Sequence, residues 1–513
     1  MYTFSSRLKT FSLILMVLGV IGIGIGFYQA PKDIAQVKEI LKHQDAAHGG
    51  GHDDGATNHS KEAEKHGDQS AHGALKTDIN HAAAVTGTQA ATETVEITNP
   101  SENNTAVSTT TATTTATVAI ESGEGVVKRK AVIVDEHAEH EKHLEHVLHQ
   151  LQNKPWSALY VACLFLMLIA LGVLAFYAIQ QVAQAGWSPV LFRVMQGITA
   201  YLPVGSVLFF ILLLLSGLHF NHLFVWMDAD LLDPTKPTFD KLIAAKTGYL
   251  NVPFWLIRAA IFLVGWNLYR YYSRKNCLAQ DESDDNSYYK KNFKLSAAFL
   301  VFFIVTESIM SWDWIMSVDP HWFSTLFGWY VFASFIVSGV TTIALVTLYL
   351  KSRGYLEYVN TSHIHDLAKF MFGFSVFWTY LWFSQFMLIW YSNIPEEVTY
   401  FITRIEDYNL PFFGMVVMNF VLPIIILINS DFKRLSWIVV MAGIIILCGH
   451  YLDFYNMIMP STVGNQWFIG LSELSSLAFF VGLFIFVIFT ALTKVPLLPK
   501  RNPFIEESKH FHY

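Results

Sequence analysis

Long apolar runs separated by short polar loops fill most of this chain. Nine of them approach the roughly 20 residues that a helix needs to cross a bilayer core. They occupy residues 156–182, 197–218, 252–272, 295–318, 325–350, 367–391, 410–429, 435–458 and 471–493. A tenth apolar run, Phe11 to Tyr28, follows Arg7 and Lys9 near the start. The pattern predicts an all-α polytopic membrane protein with about ten transmembrane helices.

The first apolar run fits either a cleaved signal peptide or a membrane anchor. A cleavage pattern of small residues is missing at Tyr28-Gln29-Ala30. We therefore expect residues 1–30 to form an uncleaved transmembrane anchor that begins in the cytoplasm.

Residues 31–133 differ sharply from the apolar runs, because Ala, Thr, Gly, Glu and His recur and large apolar side chains are scarce. Such a segment cannot bury enough surface to offset its conformational entropy. We predict a disordered loop over this range.

Residues 134–154 have a composition that favours an amphipathic helix with a histidine at every third position. On a helix each step of three residues falls about 60° short of a full turn, so these side chains wind around the axis. Adjacent pairs are weak candidates for a zinc or copper site, and a solvated helix on a membrane or partner surface is the alternative. The histidines are His137, His140, His143, His146 and His149.

Composition and charge agree with a membrane protein. Hydrophobic residues make up 53% of the chain and charged residues only 15%, a balance typical of polytopic membrane proteins. No basic stripe indicates nucleic-acid binding. The three cysteines are too scattered for a disulfide framework, an iron–sulfur cluster or a zinc site.

Basic residues in the short loops predict the orientation of the chain by the positive-inside rule. One side has Arg193, Arg270, Arg274, Lys275, Lys290, Lys291, Lys294, Lys351, Arg353, Lys369, Lys433, Arg434, Lys494, Lys500 and Arg501. The opposite side has only Lys236, Lys241, Lys246 and Arg404. We expect both termini, including a tail over residues 496–513, to be cytoplasmic and the long first loop to be periplasmic.

Ionisable residues within the spans are candidates for a proton path, because a charged group near the bilayer centre costs roughly 2.5–3.5 kcal/mol on insertion scales. Glu307 lies midway along its apolar run, and its alternative role is a buried, protonated, structural acid. Arg258 either extends to the interface or pairs with a buried acid such as Asp313 or Glu307. The ionisable candidates are Glu307, Asp313, His450, Asp453 and Arg258, and the neutral amide of Gln385 is a further candidate for the path.

His450 and Asp453 are three residues apart and share a helix face, so they can pair. His450 is also the only histidine that the pattern places clearly inside a span. A haem b or haem–copper centre would need several such histidines. We therefore expect this chain to bind no redox cofactor of its own.

The run from Ser311 to Thr325, SWDWIMSVDPHWFST, resembles the signature of the NrfD-like (polysulfide-reductase-type) membrane subunits of bacterial alternative complex III, with the F subunit most similar. LPFFGMVVMNFVLPIIIL from Leu410 and GHYLDFYNMIMP from Gly449 agree with it. The resemblance implies an NrfD-like domain of nine helices over residues 155–495. It further implies two four-helix bundles, with the first and last helices of the chain flanking them.

The same resemblance implies a subunit of a quinol:cytochrome c, or high-potential acceptor, oxidoreductase in the bacterial inner membrane. Haem c and iron–sulfur clusters are then expected on partner subunits, with menaquinol as the substrate. The implied partners are the paralogous C subunit, multihaem and monohaem c-type cytochromes, an iron–sulfur subunit and a terminal cytochrome oxidase.

In this family the C subunit receives quinol, so the F subunit is expected to have a structural or proton-conducting role. Quinone contact is a further hypothesis, because an aromatic slot with a base at its mouth suits a quinol. The candidate residues are Trp312, His321, Trp322 and Phe323. A stand-alone proton-coupled transporter or channel and a purely structural anchor for cytochromes are the alternatives.

Overall fold

Ten helices in the structure are long and apolar enough to cross a membrane, which confirms the predicted all-α polytopic membrane fold. The structure is a computed structural model that describes residues 2–47, 116–122, 125–131 and 136–512. The described chain forms two compact units, residues 32–148 and residues 1–31 with 149–513.

The helices follow the apolar runs closely, and short helices occur in the loops. Their bounds are α1 Ser6–Gln29, α2 Ile34–Ala47, α3 Glu136–Val182, α4 Phe192–Ile198, α5 Tyr201–Gly217, α6 Lys241–Ala245, α7 Val252–Gln280, α8 Ser287–Trp314, α9 Phe327–Ser352, α10 Thr361–Ser392, α11 Pro395–Glu406, α12 Asn409–Val416, α13 Leu422–Leu427, α14 Ser436–Val463, α15 Leu471–Leu492 and α16 Ile505–Lys509. Two strands, β1 Ala116–Ser122 and β2 Gly125–Ala131, pair antiparallel, with Ala116 opposite Ala131.

The segment predicted to be a disordered loop, residues 31–133, contains regular structure in its described parts. Helix α2 begins where Asp33 accepts a hydrogen bond from the Gln36 backbone N–H at 2.9 Å, a typical N-cap contact. The hairpin of β1 and β2 uses segments rich in Val, Ile and Thr, which favour strands. Average composition did not indicate these elements, and the disorder of the loop as a whole stays a prediction. Residues 48–115 lie outside the described residues.

The amphipathic helix predicted over residues 134–154 is not separate from the span that follows it. Helix α3 runs without a break from Glu136 to Val182 and contains Pro155. Asn153 holds this turn in place, because its side chain both donates to the His222 carbonyl and accepts from the His222 N–H, each at 3.1 Å. Contacts around the span thus keep the helix continuous, although Pro155 removes one backbone hydrogen bond.

The membrane helices pack as two groups of four with two flanking helices. We call α3, α5, α7 and α8 the first bundle, and α9, α10, the pair α12–α13, and α14 the second bundle. Within the second bundle α9 packs on α10 and α14, and α12 packs on α14. The flanking helices α1 and α15 pack against each other.

Two glycines let the leading helices of the two bundles come into backbone contact. A Cβ at Gly172 of α3 would lie 2.5 Å from the Phe335 carbonyl oxygen of α9. A Cβ at Gly339 of α9 would lie 2.9 Å from the Val173 nitrogen of α3. A side chain at either position would force these two helices apart, so α3 and α9 form the centre of the helical core.

Antiparallel neighbours give the bundles two ends. We call the end where α7 finishes and α8 begins the basic end, because the predicted cytoplasmic lysines and arginines lie there, and the other the signature end. The C-terminal tail is anchored at the basic end, since Ser508 donates to the Trp187 carbonyl at 2.6 Å and its own carbonyl contacts His363 Nε2 at 3.1 Å.

Helix α10 begins at Thr361 and not at residue 367, so His363 and His365 also lie on a membrane-crossing helix. His450 is thus not the only histidine on a helix of spanning length, although His363 and His365 lie in the first turns of α10. Apolar periodicity underestimated the helix by almost two turns, because the first turns carry polar side chains.

Candidate functional site

A fully buried carboxylate, Asp453, lies at the centre of a polar cluster inside the second bundle. Helix α14 supplies Asp453 and His450, one turn apart, and both side chains are completely buried. Helix α9 supplies Tyr330 and Ser334, which are also one turn apart, and α10 supplies Trp378. We call these five residues the Asp453 cluster. Three helices therefore converge on one acid.

Three neutral donors bind the Asp453 carboxylate. The Tyr330 hydroxyl donates to Oδ1. The Ser334 hydroxyl donates to Oδ2 at 2.7 Å, and Trp378 Nε1 donates to the same oxygen at 2.8 Å. An ionised carboxylate only accepts hydrogen bonds, so this arrangement suits the charged form. No lysine or arginine forms an ion pair with Asp453 among the described residues.

His450 is the one basic group beside this carboxylate. Its Nδ1 lies 2.9 Å from Ser334 Oγ and 3.6 Å from Asp453 Oδ2. If Ser334 gives its one hydroxyl proton to Asp453, a hydrogen bond between Ser334 and His450 has Nδ1 as its donor. Nε2 is then the open position, and it has no hydrogen-bond partner among the described residues. The imidazole can accept a second proton at Nε2 and form an ion pair with Asp453.

A π-helical turn in the eighth span brings Asn419 against this histidine. The turn covers Val417–Val421. Pro423 follows Asn419 by four residues and has no N–H to bond the Asn419 carbonyl, which accounts for the irregular turn. Asn419 is fully buried, and its Nδ2 lies 3.5 Å from His450 Nδ1. Single π turns are frequent at functional sites, so this one adds to the case for the cluster.

Gly449 provides the space for Asn419. A Cβ at Gly449 would lie 2.1 Å from Asn419 Oδ1, so any larger residue would displace the amide. The sequence signal for this contact is the spacing of Asn419 and Pro423 together with Gly449 directly before His450.

Arg404 links the second bundle to α11 at the signature end. Its Nε donates to the Asn456 carbonyl at 2.9 Å, and its Nη1 donates to the Tyr400 carbonyl at 2.7 Å. The Asn456 carbonyl is available because Pro460, four residues later in α14, has no N–H. Arg404 is thus held by backbone oxygens and not by an acid.

A small cavity lies beside Tyr330 and leads from the Asp453 cluster toward the signature end. Its lining includes Gln385, which sequence analysis placed in a proton path. Gln385 Oε1, Asn456 Oδ1 and Trp382 Nε1 are buried in this region without hydrogen-bond partners among the described residues. The space suits water and is too small for a ring system. Water there would join Tyr330 to the polar groups around Arg404.

The first bundle has a different buried acid. Arg258 of α7 binds Asp313 of α8 in a two-pronged ion pair, with Nε to Oδ2 at 2.6 Å and Nη2 to Oδ1 at 2.9 Å. Of the two alternatives for Arg258, the structure therefore shows pairing with a buried acid. The guanidinium also lies 4.0 Å from the Tyr249 ring. Burial and the neighbouring Asp313 carboxylate raise the pKa of Tyr249, so its phenol stays neutral.

Glu307 is buried in the same bundle but is separate from this ion pair. The Ser308 hydroxyl donates to its Oε2 at 3.2 Å, and Oε1 has no hydrogen-bond partner among the described residues. Burial without a cationic partner favours the neutral acid. Glu307 can therefore hold a proton within the membrane.

The basic end of the first bundle contains a polar cluster that sequence analysis missed. Four side chains converge on the Tyr177 hydroxyl: Gln181 and Gln196 at 3.1 Å, Asn292 at 3.2 Å and Ser273 at 3.4 Å. We call these the Tyr177 cluster. A cavity of about 270 Å³, which includes open solvent, borders Gln181 and Asn292. Sequence analysis did not name these residues, because neutral polar side chains on separate helices of the chain give no sign that they meet.

Smaller polar pairs continue from this cluster toward Glu307. The Tyr269 and Ser296 hydroxyls lie 2.8 Å apart. Further along, Trp266 Nε1 donates to the hydroxyl of Thr306, the residue before Glu307, at 3.0 Å. The first bundle thus contains polar groups at successive depths.

The four quinone-contact candidates do not form one slot. Trp312 is 36% exposed and Phe323 is 57% exposed. Trp322 is buried and stacks on Tyr400, with the ring centroids 4.0 Å apart. His321 instead faces the loop before α7. These side chains lie in different surroundings. The loop of residues 315–326 between α8 and α9, which we call the signature loop, therefore does not combine with Trp312 into the aromatic slot that quinone contact would need.

His321 contacts Asp240, with Nε2 2.6 Å from Oδ2. Partial burial raises the pKa of Asp240, but hydrogen bonds from the Ile243 N–H and from His321 outweigh it and hold the pKa below its usual value. Lys246 Nζ donates to the Pro320 carbonyl at 2.5 Å in the same region. Together these contacts fasten the loop before α7 to the signature loop.

The weak metal candidates are arranged along α3. His143, His146 and His149 are exposed, and the His149 ring centroid lies 5.8 Å from that of His222. The side chains of His137 and His140 lie outside the described residues. Within the described part of the chain, no group of three or more His, Cys, Asp or Glu side chains is arranged to hold a metal ion.

The fold and these sites define the class of the protein: a polytopic, all-α membrane protein in which each four-helix bundle buries an ionisable cluster. No family model matches the chain, and no curated protein matches it.

Proposed function

We propose that this chain is an integral membrane subunit of a quinol:cytochrome c, or high-potential acceptor, oxidoreductase of the alternative complex III type. Its role there is structural and proton-conducting. The signature from Ser311 to Thr325 supports the family, and the observation that carries the proton-conducting role is the Asp453 cluster. A buried carboxyl group beside a histidine with an open nitrogen is a site that can take up and release a proton.

The proposed complex lies in the bacterial inner membrane, with both termini of this chain in the cytoplasm and the long first loop in the periplasm. Haem c and iron–sulfur clusters belong to the multihaem and monohaem c-type cytochromes and the iron–sulfur subunit, and the paralogous C subunit is a further partner. Menaquinol is the substrate of the complex, and a terminal oxidase receives its electrons. This chain handles protons and holds the assembly together.

The first bundle supports a route for protons from the basic end. The Tyr177 cluster would accept protons from the cytoplasm, and the hydroxyl pair of Tyr269 and Ser296 would relay them toward Glu307. Asp313 is an unsuitable next carrier, because Arg258 neutralises it with two short hydrogen bonds. The route therefore needs water between Glu307 and the signature end.

The first test is purification of the chain from its native membrane in mild detergent, with haem and iron analysis and a quinol:cytochrome c assay. Co-purifying c-type haem, iron and quinol oxidation would support the proposed complex. A chain that purifies alone, without haem or activity, would overturn it.

The proton-conducting role needs its own test in the active complex. Asp453→Asn and Glu307→Gln should lower proton uptake coupled to quinol oxidation in proteoliposomes, measured with a pH-sensitive dye. Ser338→Ala is a matched control, because its hydroxyl bonds only the Ser334 carbonyl of its own helix. Unchanged proton uptake in both acid variants would leave the chain with a structural role alone.

A stand-alone proton-coupled transporter or channel is the second candidate. The observation that favours it is the pair of interrupted helices in the second bundle, the π turn at Val417–Val421 and Pro460 inside α14. Broken helices near a buried polar site are a feature of secondary transporters. Proton flux through liposomes containing the purified chain alone would support this candidate and count against the respiratory subunit.

A further inference from the structure

Two arginines at the basic end of the first bundle have no anion beside them. Five arginines are buried or half-buried in the part of the chain whose burial is described. Arg193 pairs with Asp281 at 2.5 Å, Arg258 pairs with Asp313, and Arg404 is bound by backbone carbonyls. Arg270 and Arg274 are half-buried and form no ion pair with any described residue. These two cations are the exception that needs an explanation.

Arg270 and Arg274 are one turn apart on α7 and therefore share a helix face. Asn267, three residues before Arg270, donates to Ser206 Oγ of α5 at 2.9 Å. Arg274 Nη1 lies 3.5 Å from the Gln196 carbonyl of α4, the limit of a hydrogen bond. The face that carries both arginines thus borders α4 and α5. We call this place the arginine seam.

The neighbouring acids cannot neutralise the arginine seam. Asp281 accepts hydrogen bonds from Arg193 and from the Lys500 backbone N–H. Arg270 Nε is buried without any hydrogen-bond partner among the described residues. A half-buried guanidinium without a counter-ion is costly, because it loses hydration and gains no ion pair. An anion from outside the chain would remove that cost.

The surroundings of the seam indicate what kind of anion would bind. Exposed apolar side chains continue from it along α5, after Ser206: Val207 is 60% exposed, Ile211 46% and Leu214 40%. In a membrane-crossing helix these side chains face acyl chains. A ligand at this place therefore meets two cations at one end and an apolar groove beyond them.

We propose that the arginine seam binds an anionic phospholipid, with its phosphate held by Arg270 and Arg274 and its acyl chains lying along Val207 and Ile211 of α5. Guanidinium groups bind phosphate oxygens through paired hydrogen bonds. Basic pockets between transmembrane helices are known places for lipid head groups. Because both arginines lack an ion pair, a lipid head group that has two phosphates fits the charge of the seam better than a head group that has a single phosphate. This proposal stands independently of the proposed respiratory function.

The experiment is a lipid titration of the purified, delipidated full chain, or of its complex if the chain purifies in one. Thermal unfolding and native mass spectrometry are followed as cardiolipin, phosphatidylglycerol or phosphatidylcholine is added. We expect cardiolipin to raise the unfolding temperature at the lowest concentration, phosphatidylglycerol at a higher one, and phosphatidylcholine to have no comparable effect. Equal responses to all three lipids would overturn the proposal.

Variants separate a lipid site from a structural role. Arg270→Gln/Arg274→Gln should weaken cardiolipin binding roughly tenfold or more, because each cation near an anionic lipid contributes to affinity. The same variant should unfold at an equal or higher temperature than wild type when no lipid is present, since it removes unpaired charges. Arg270→Lys/Arg274→Lys should retain most of the binding, because lysine keeps the charge but not the paired hydrogen bonds.

The matched control is Arg7→Gln/Arg353→Gln, which removes two exposed arginines and should leave the lipid response unchanged. A loss of stability in the lipid-free Arg270→Gln/Arg274→Gln variant with an unchanged lipid response would show a structural role and overturn the proposal. Competition by millimolar inorganic phosphate as strong as that by cardiolipin would mean that the site binds a free anion, and would overturn the lipid assignment.

Discussion

Each bundle buries an aspartate, Asp313 in the first and Asp453 in the second, but different kinds of group bind the two carboxylates. In the first bundle Arg258, whose guanidinium stays charged at all relevant pH values, binds Asp313 through two hydrogen bonds of 2.6 and 2.9 Å. In the second bundle three neutral donors bind Asp453, and the nearby base is His450. The cation beside Asp313 is therefore permanent, whereas the base beside Asp453 can be neutral or charged.

This difference assigns separate roles to sites that look alike in sequence. A permanent ion pair holds helices together and cannot release a proton without leaving a buried guanidinium uncompensated. A carboxylate held by hydroxyls and an indole can exchange protons with a histidine, because no fixed cation opposes the change. We infer that the first ion pair is structural and that the Asp453 cluster carries the proton chemistry.

The largest effect should come from breaking the fixed pair. Arg258→Leu leaves Asp313 buried without its cation and should lower the free energy of unfolding by about 3–5 kcal/mol. The double variant Arg258→Leu/Asp313→Leu should recover most of that loss, because no isolated charge remains. Unfolding of the purified protein in detergent, followed by tryptophan fluorescence, measures both. A single variant as stable as wild type would contradict the structural role.

The second largest effect concerns the variable site. Asp453→Asn should reduce proton transfer by about 100-fold or more, the range expected when a positioned acid–base group is lost. The fold should survive, because Asn keeps the shape of the side chain. The check is proton movement in proteoliposomes beside a circular dichroism spectrum. Proton transfer at the wild-type rate in Asp453→Asn would break the comparison between the bundles.

The sequence was sufficient to find a contact when both residues lie on one helix, and to find a buried ionisable residue when it lies deep in an apolar run. The membrane helices followed from apolar length, and the shared face of His450 and Asp453 followed from their spacing. Arg258 and Asp313 were each identified as buried ionisable groups, and the structure shows that they pair.

The missed residues are those whose role depends on which helices touch. Tyr330 and Ser334 are more than a hundred residues from Asp453 in the chain, and Trp378 is on a third helix. Periodicity shows which face of a helix is apolar, but not which other helix lies against that face. Neutral polar residues such as Tyr177 are also hard to identify from sequence. The free energy needed to place them within a membrane span is small compared with that for a charged residue, so their presence in a span is not unusual.

A smaller effect distinguishes donors to the carboxylate from ordinary helix hydroxyls. Ser334→Ala removes a hydrogen bond to Asp453 and should cost about 1.5–3 kcal/mol, the usual range for a bond to a charged group. Ser338→Ala, one turn further along α9, should cost less than about 1 kcal/mol, because that hydroxyl bonds only a carbonyl of its own helix. Thermal unfolding of the two variants side by side measures the difference. Equal costs would indicate that Asp453 is not ionised.

The smallest effect tests a third acid, outside the bundles. Asp240 contacts His321 at 2.6 Å, and hydrogen bonds hold its pKa below the usual value despite partial burial. A lowered pKa in the folded state means that this acid stabilises the protein above its unfolded pKa of about 4 and that the contribution is lost as the pH falls further. Asp240→Asn should therefore lower the unfolding temperature slightly at pH 7, by the equivalent of about 1 kcal/mol or less, and by a smaller amount at pH 3.

Asp230 provides the matched control, because it pairs with Lys236 in the same loop at 3.2 Å while both side chains are about half exposed. Asp230→Asn should change the unfolding temperature at neither pH, since solvent screens an exposed pair. The three acids then form a series: Asp313 with a fixed cation, Asp453 with neutral donors, and Asp240 at the surface with a histidine. A pH dependence in Asp230→Asn as large as in Asp240→Asn would show that the signature loop is held by general surface charge and not by the His321 contact.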